Sequence, residues 1–262
     1  MAIKSMKDAF SLVGKNAIIT GGSKGIGLGI ATAFAQSGAN IGIFARDAVA
    51  AEEVIASFKG EYSGKFAFYK TDIGDMQSCK KSVDQFVADF GSVDVLVNNA
   101  GIATGGGLLT LDEDLASWYE SFDIDLHGGV RMCYLVGKYM RDAGNGGHII
   151  NITSNAGEIV NEPLLTSYAA AKAAFNHFTR CFAAEVAPFK MRVNAIAPGF
   201  TYSNFTKGIP DGAMEAMCET IPIGRFADAL EIGALAVYLA SEASDIVTGS
   251  VFTADGGFAI QH

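Results

Sequence analysis

Short apolar runs alternate with helical stretches along almost the whole chain, and this alternation restricts the fold more than any single motif. "NAIIT" (16–20), "NIGIFA" (40–45), "KFAFYKT" (65–71), "VDVLVNN" (93–99), "GHIINIT" (147–153), "MRVNAIA" (191–197) and "SVFTAD" (250–255) each read as a strand. Between them, 26–38, 48–60, 78–91 and 111–142 carry helical spacing, and the first three close on Gly38, Gly60 and Gly91. Strands this apolar need cover on both faces, and strand–helix–strand repetition produces parallel neighbours. The expectation is an α/β fold with a seven-stranded parallel sheet and helices on both faces. No Pro- or Ser-rich linker divides the chain, so 1–262 reads as one domain. Segment 199–224 breaks the rhythm with Pro210 and Pro222, as an insertion beside a site would.

Composition narrows the setting. Half of the 262 residues are apolar, enough for a sizeable core. A net charge of −9 argues against a nucleic-acid surface and against an anionic membrane. Cys79, Cys133, Cys181 and Cys218 form no CxxC pair, which suits reduced thiols in the cytoplasm. "MAIKSMKDAFSLVGK" lacks the apolar centre and cleavage site of a signal peptide, and no apolar run approaches the ~20 residues of a membrane span. His127, His148, His177 and His262 show no metal-ligand spacing, so no metal is expected.

Glycine is a poor former of both strands and helices. Yet "ITGGSKGIGLGI" (19–30) places several between the first strand and the first helix. Gly21, Gly25 and Gly27 sit where a tight turn would let the backbone approach a pyrophosphate. The helix N-terminus would add free N–H groups and a positive dipole. The P-loop pattern is absent. A turn needed only for packing is the other reading. Gly22 is expected to extend the turn, Gly29 to allow close helix–sheet packing, and Thr20 to brace the loop.

The spacing is TGxxxGxG from Thr20 to Gly27. "NNAG" (98–101), "IINITS" (149–154), "YAAAK" (168–172) and "NAIAPG" (194–199) follow. Five motifs in this order, over nearly the whole chain, resemble the short-chain dehydrogenase/reductase family. The resemblance implies a Rossmann-like, doubly wound domain. Its cofactor half would lie at about 14–150 and its catalytic and substrate half at about 151–262.

Tyr168 and Lys172 are four apart in a segment that reads as helix, so they share a face. A free phenol titrates near pH ~10, and a neighbouring ammonium brings it toward the working range of a general acid or base. Alone, the pair would equally suit a core aromatic beside a solvated lysine. The resemblance assigns Tyr168 as acid/base, and Lys172 as the group that tunes it and holds the nicotinamide ribose. It assigns Ser154 to orient the reacting oxygen. Ser154 lies 14 residues before Tyr168, one more than the family's usual spacing; Asn155 sits at the usual distance, and a loop absorbs the extra residue. In "FDIDLHGG" (122–129) the family's asparagine is Asp125. In the family this asparagine helps to hold a water that links the lysine to solvent, partly through the backbone carbonyl that Asp125 retains. A carboxylate there is expected to pair with Lys172, weaken its pull on Tyr168 and shift the pH optimum; an inert helix residue is the other reading.

By the same resemblance the cofactor would meet Gly21, Ser23, Lys24, Gly25, Ile26 and Gly27. Asp72 and Ile73 would contact adenine, although Asp72 also suits a helix N-cap. Asn99, Ala100 and Gly101 would line the groove, with Asn98 tying strands together. Pro198, Gly199 and Thr201 would lie near the carboxamide, with Ser203 where the family often has threonine. NAD-using relatives carry an acid at the end of the second strand. Here that position is Ala45, followed by Arg46, and Lys24 precedes Gly25. Two cations and a missing acid point to a 2′-phosphate and so to NADP(H); Asp47, one residue later, keeps NAD(H) open. The pocket walls would be 102–107, 155–165 and 200–218, including Asn155, Glu158, Asn161, Glu162, Phe200, Phe205, Met214 and Met217, with a lid at about 200–220. They suit a small carbonyl or alcohol: a sugar or polyol, a 3-oxoacyl thioester or a hydroxysteroid. The family commonly forms homodimers or homotetramers, here through 111–142 and 166–188. A non-catalytic dinucleotide sensor is the alternative outside enzymology.

Overall fold

The computed structural model describes residues 5–102, 107–160, 165–202, 206 and 210–261. The pocket-wall candidates Asn161, Glu162 and Phe205, and Ser203, lie outside them. In chain order the elements are α1 (Met6–Ala9), β1 (Asn16–Thr20), α2 (Gly25–Gln36), β2 (Asn40–Ala45), α3 (Ala48–Glu61), β3 (Phe66–Lys70) and α4 (Met76–Phe90). Then come β4 (Val95–Asn98), α5 (Ala116–Phe122), a π-helical turn (Asp123–Gly128), α6 (Gly129–Ala143), β5 (Gly147–Ile152) and α7 (Thr166–Val186). β6 (Met191–Pro198), α8 (Asp211–Glu219), α9 (Ala229–Ala240) and β7 (Val251–Ala254) complete the set.

The seven strands form one sheet in the order β3-β2-β1-β4-β5-β6-β7, and every pairing is parallel. Alternate side chains of each strand feed opposite faces. In β1, Ala17 and Ile19 pack with Ile30 and Phe34 of α2, Ile55 and Phe58 of α3 and Ile232 and Leu239 of α9. Ile18, between them, packs with Val83 and Phe86 of α4, Met132 and Val136 of α6 and Ala183 of α7. This two-sided cover explains why the strands read as apolar runs.

Three readings of the sequence need correction. Within 111–142 the helix begins only at Ala116, and α5 runs into α6 through the π-helical turn. Gly29 serves helix–helix rather than helix–sheet contact, because a Cβ there would stand 2.4 Å from the Ala229 carbonyl carbon of α9. Asp72 is not a helix N-cap; Asp75 caps α4 by accepting from the Gln77 amide. No helix among the described residues is long and apolar enough to cross a membrane.

Candidate active site

A parallel sheet gathers the carboxyl ends of its strands on one edge, and a crevice opens where the strand order reverses, here between β1 and β4. Gly21 (φ +67°) and Gly25 (φ +52°) take the left-handed conformation that the turn between β1 and α2 requires. A Cβ on Gly27 would stand 2.3 Å from the Gly21 carbonyl oxygen. Thr20 braces the loop: its Oγ1 accepts from the amides of Asn99 (2.9 Å) and Ala100 (3.0 Å). The Asn99 amide side chain donates to the Thr20 carbonyl (3.0 Å). Asn98 ties β4 to β5 by donating to Asn151 Oδ1 (2.9 Å). The N-cap residue of α2 is Lys24, which makes no side-chain cap, and the first turn holds no acid. The leading amides of a 12-residue helix are therefore presented at the crevice. That donor set fits the pyrophosphate of a dinucleotide.

The far end of the crevice differs from the expectation. Ala45 is buried and Arg46 is exposed. Asp47, one residue beyond the expected acid position, caps α3 by accepting from the Ala50 amide. It also pairs with Lys24 at 2.6 Å, which holds its carboxyl below the usual range. Lys24 is thus already neutralised, whereas Arg46 has no ion pair among the described residues. Of the two cations expected to meet a 2′-phosphate, Lys24 is shared with Asp47. Nearby, Asp72 Oδ1 accepts from the Gly74 amide (2.9 Å). Ile73 is buried, its carbonyl accepting from Arg131 Nη1 (3.1 Å).

α7 brings the chemistry together. Lys172 is 4% exposed. Its Nζ donates to the Ile152 carbonyl (3.4 Å), lies 5.4 Å from the centre of the Tyr168 ring and stands 3.3 Å from Asp125 Oδ1. The turn after β5 presses against this helix, since a Cβ on Gly157 would come within 2.8 Å of the Lys172 carbonyl carbon. Ser154 begins that turn, its Oγ accepting from the Ala156 amide (3.2 Å). Asp125 is carried inward by the π-helical turn, and its Oδ1 also accepts from the Ile102 amide (3.0 Å). Its Oδ2 is buried with no partner among the described residues. Burial raises the Asp125 carboxyl above the usual range, and Lys172 offsets part of that rise.

Pro198 ends β6. Gly199 is pressed against Asp255, whose Cβ would lie 2.6 Å from an added Cβ. Thr201 is buried and donates to the Gly199 carbonyl (3.1 Å), so its hydroxyl braces this turn. Ser23 is buried and Ile26 packs on the core beside the glycine loop. The sequence reading missed Arg131, whose charge complements Asp123 two turns earlier on the same helical stretch. It also missed the need for glycine at 101, where a Cβ would stand 2.6 Å from Asp125 Oδ1.

Known proteins share this architecture. A family model described as enoyl-(acyl carrier protein) reductase matches residues 21–259. The chain is 37% identical over 248 residues to 3-oxoacyl-(acyl-carrier-protein) reductase FabG of Chlamydia muridarum, covering 95% of this chain and 98% of that protein. A short-chain type dehydrogenase/reductase from Mycobacterium marinum superposes with a TM-score of 0.91 at 34% identity, over 97% of this chain and 99% of that one. A gluconate 5-dehydrogenase from Burkholderia cenocepacia, solved in complex with NADP and tartrate, gives 0.89 at 31% identity, over 98% and 99%. At this identity and coverage the chain belongs to the short-chain dehydrogenase/reductase family and is an oxidoreductase acting on CH–OH and C=O groups.

Proposed function

We propose that this protein is an NADP(H)-dependent oxidoreductase that interconverts a carbonyl and a secondary alcohol. The observation that carries the reading is the buried Lys172 ammonium beside Tyr168, at the edge where Ser154 opens the turn after β5. A bound nicotinamide dinucleotide supplies the hydride in reduction and takes it in oxidation. Ser154 donates its hydroxyl proton to the substrate oxygen, while its Oγ accepts from the Ala156 amide. Tyr168 gives that oxygen a proton in reduction and removes it in oxidation. Lys172 holds the charge of the phenolate and bonds the nicotinamide ribose. Gly21, Gly25, Gly27 and the leading amides of α2 hold the pyrophosphate, while Asp72 and Ile73 meet adenine. Asn99, Ala100 and Gly101, with Pro198, Gly199 and Thr201, bound the groove.

Arg46 and the absence of an acid at Ala45 support NADP(H), as does the NADP held by the gluconate 5-dehydrogenase. Among sugar or polyol, 3-oxoacyl and hydroxysteroid substrates, Glu158 favours the first. It lies exposed four residues after Ser154 and accepts from Thr253 Oγ1 (2.7 Å). A carboxylate there bonds hydroxyls and opposes a phosphate-bearing thioester. α8 seats Met214 and Met217 against Ile221, Phe226 and Phe258 and is proposed to move as a lid; residues 203–205 and 207–209 of the expected lid at 200–220 lie outside the described residues. A homodimer or homotetramer is proposed to form through 111–142 and 166–188, where Tyr134 is exposed; light scattering would return two or four times the 27.4 kDa chain.

Fluorescence titration with NADPH and NADH, followed by a ketone and polyol panel read at the nicotinamide absorbance, tests the reading. NADPH is expected to bind more tightly. Tyr168→Phe should lose about 10²-fold or more in kcat while keeping NADPH affinity. Tighter NADH binding would overturn the cofactor assignment, and an unchanged Tyr168→Phe would overturn the role of Tyr168.

A further inference from the structure

The fold does not need a charge at position 125. Oδ1 of Asp125 accepts from the Ile102 amide at 3.0 Å, a bond that a neutral amide carbonyl would make equally well. What the carboxylate adds is a negative charge, and Lys172 is the one charged group that faces it among the described residues, at 3.3 Å. The end of β4 contributes the backbone of Gly101 and Ile102, β5 contributes the Ile152 carbonyl, and α7 contributes Tyr168 and Lys172. The two side chains are 0% and 5% exposed, so water and salt screen the pair little. Oδ2 is buried with no protein partner among the described residues.

We propose that Asp125 is a positioning residue that sets the pH range of the reaction by cancelling part of the charge of Lys172. This rests on the reading of Tyr168 as the group that moves the proton. A lysine with nothing behind it pulls hard on the phenolate. A lysine backed by a carboxylate pulls less, and the reaction then needs a higher pH when Tyr168 acts as base.

Alcohol oxidation in the intact enzyme gives the direct readout. The pH–rate midpoint of Asp125→Asn should move about one pH unit toward acid, the order expected for removing a charge at this range in a poorly screened site. Phenolate absorbance, taken as the difference from Tyr168→Phe in each background, should show the same displacement without any turnover. Should Asp125→Asn fail to fold, Asp125→Ser is the second neutral variant, with the same expected shift. Coincident midpoints, or a move toward alkali, would overturn the inference. Absence of turnover in the parent would defeat the oxidoreductase reading, and the absorbance difference would still decide the role of Asp125.

Discussion

Lys24 is at once the N-cap residue of α2 and the partner of Asp47. Both side chains are about half exposed, at 51% and 47%, so the pair adds little to stability. Its consequence lies in competition. A 2′-phosphate at this end of the crevice has Arg46 to itself but must share Lys24 with a carboxylate. Asp47→Asn removes that competitor while keeping a side chain able to cap α3. NADPH should then bind about 3- to 10-fold more tightly with NADH nearly unchanged, an effect that fades as salt is added. Arg46→Ala should do the reverse, weakening NADPH by about tenfold. Titrations of both dinucleotides at low and high salt check the pair, and equal changes for NADPH and NADH would disprove the assignment. Arg46, Lys24 and the missing acid at Ala45 were legible as types at positions. The ion pair was not, because it joins loops that only the sheet brings together.

Elements whose signals are local were readable: β1 and β2 run over 16–20 and 40–45 as the apolar runs indicate. α9 escaped because "ALEIGALAVYLA" is apolar almost all round and so has no polar face to mark a period. The π-helical turn escaped for another reason: one extra residue in a turn leaves no compositional trace, yet it places Asp125 beside Lys172. What anchors this turn is Arg131 of α6, which reaches back to Asp123 and across to Ile73 after β3. Nη1 donates to the carbonyls of Ile73 and Asp123, both at 3.1 Å, and Nη2 pairs with the Asp123 carboxylate. Arg131→Ala would leave two carbonyls and a carboxylate without their donor. Loss of about 1–3 kcal/mol of stability is expected, with weaker dinucleotide binding and near-normal kcat at saturation. Urea unfolding and a KM-against-kcat comparison measure both effects. A fall in kcat alone would mean that Arg131 acts on the chemistry and not on the loop that holds Ile73.

At the scale of the whole molecule, β5 and β6 are tied to the segment before β7 through Arg192 on β6. The guanidinium is buried and donates to the carbonyls of Ser244 (2.7 Å), Val247 (3.2 Å) and Ser241 (3.2 Å). Its Nη2 lies 3.0 Å from the ring of His148, the register partner on β5. A neutral imidazole accepts from Arg192, and an imidazolium would face a like charge. Burial, together with the charges of Arg192 and Lys15, pushes His148 down to about 3. In the unfolded chain the ring titrates near ~6.5. Between these values the unfolded state binds a proton that the folded state refuses, so stability is full above the unfolded value and is lost as pH falls below it. The linkage relation gives about 2 kcal/mol lost between pH 7 and pH 5. Asp125, raised by burial, acts in the opposite sense, because its penalty is relieved as pH falls. Comparing the parent with His148→Asn cancels that contribution, since Asp125 is common to both. Urea unfolding at the two pH values should show the parent losing about 2 kcal/mol more than the variant. Parallel losses would mean that His148 is not held neutral by Arg192 and its surroundings. The same ring would then carry a proton in the folded state, and the ties from β5 and β6 to the segment before β7 would have to tolerate it.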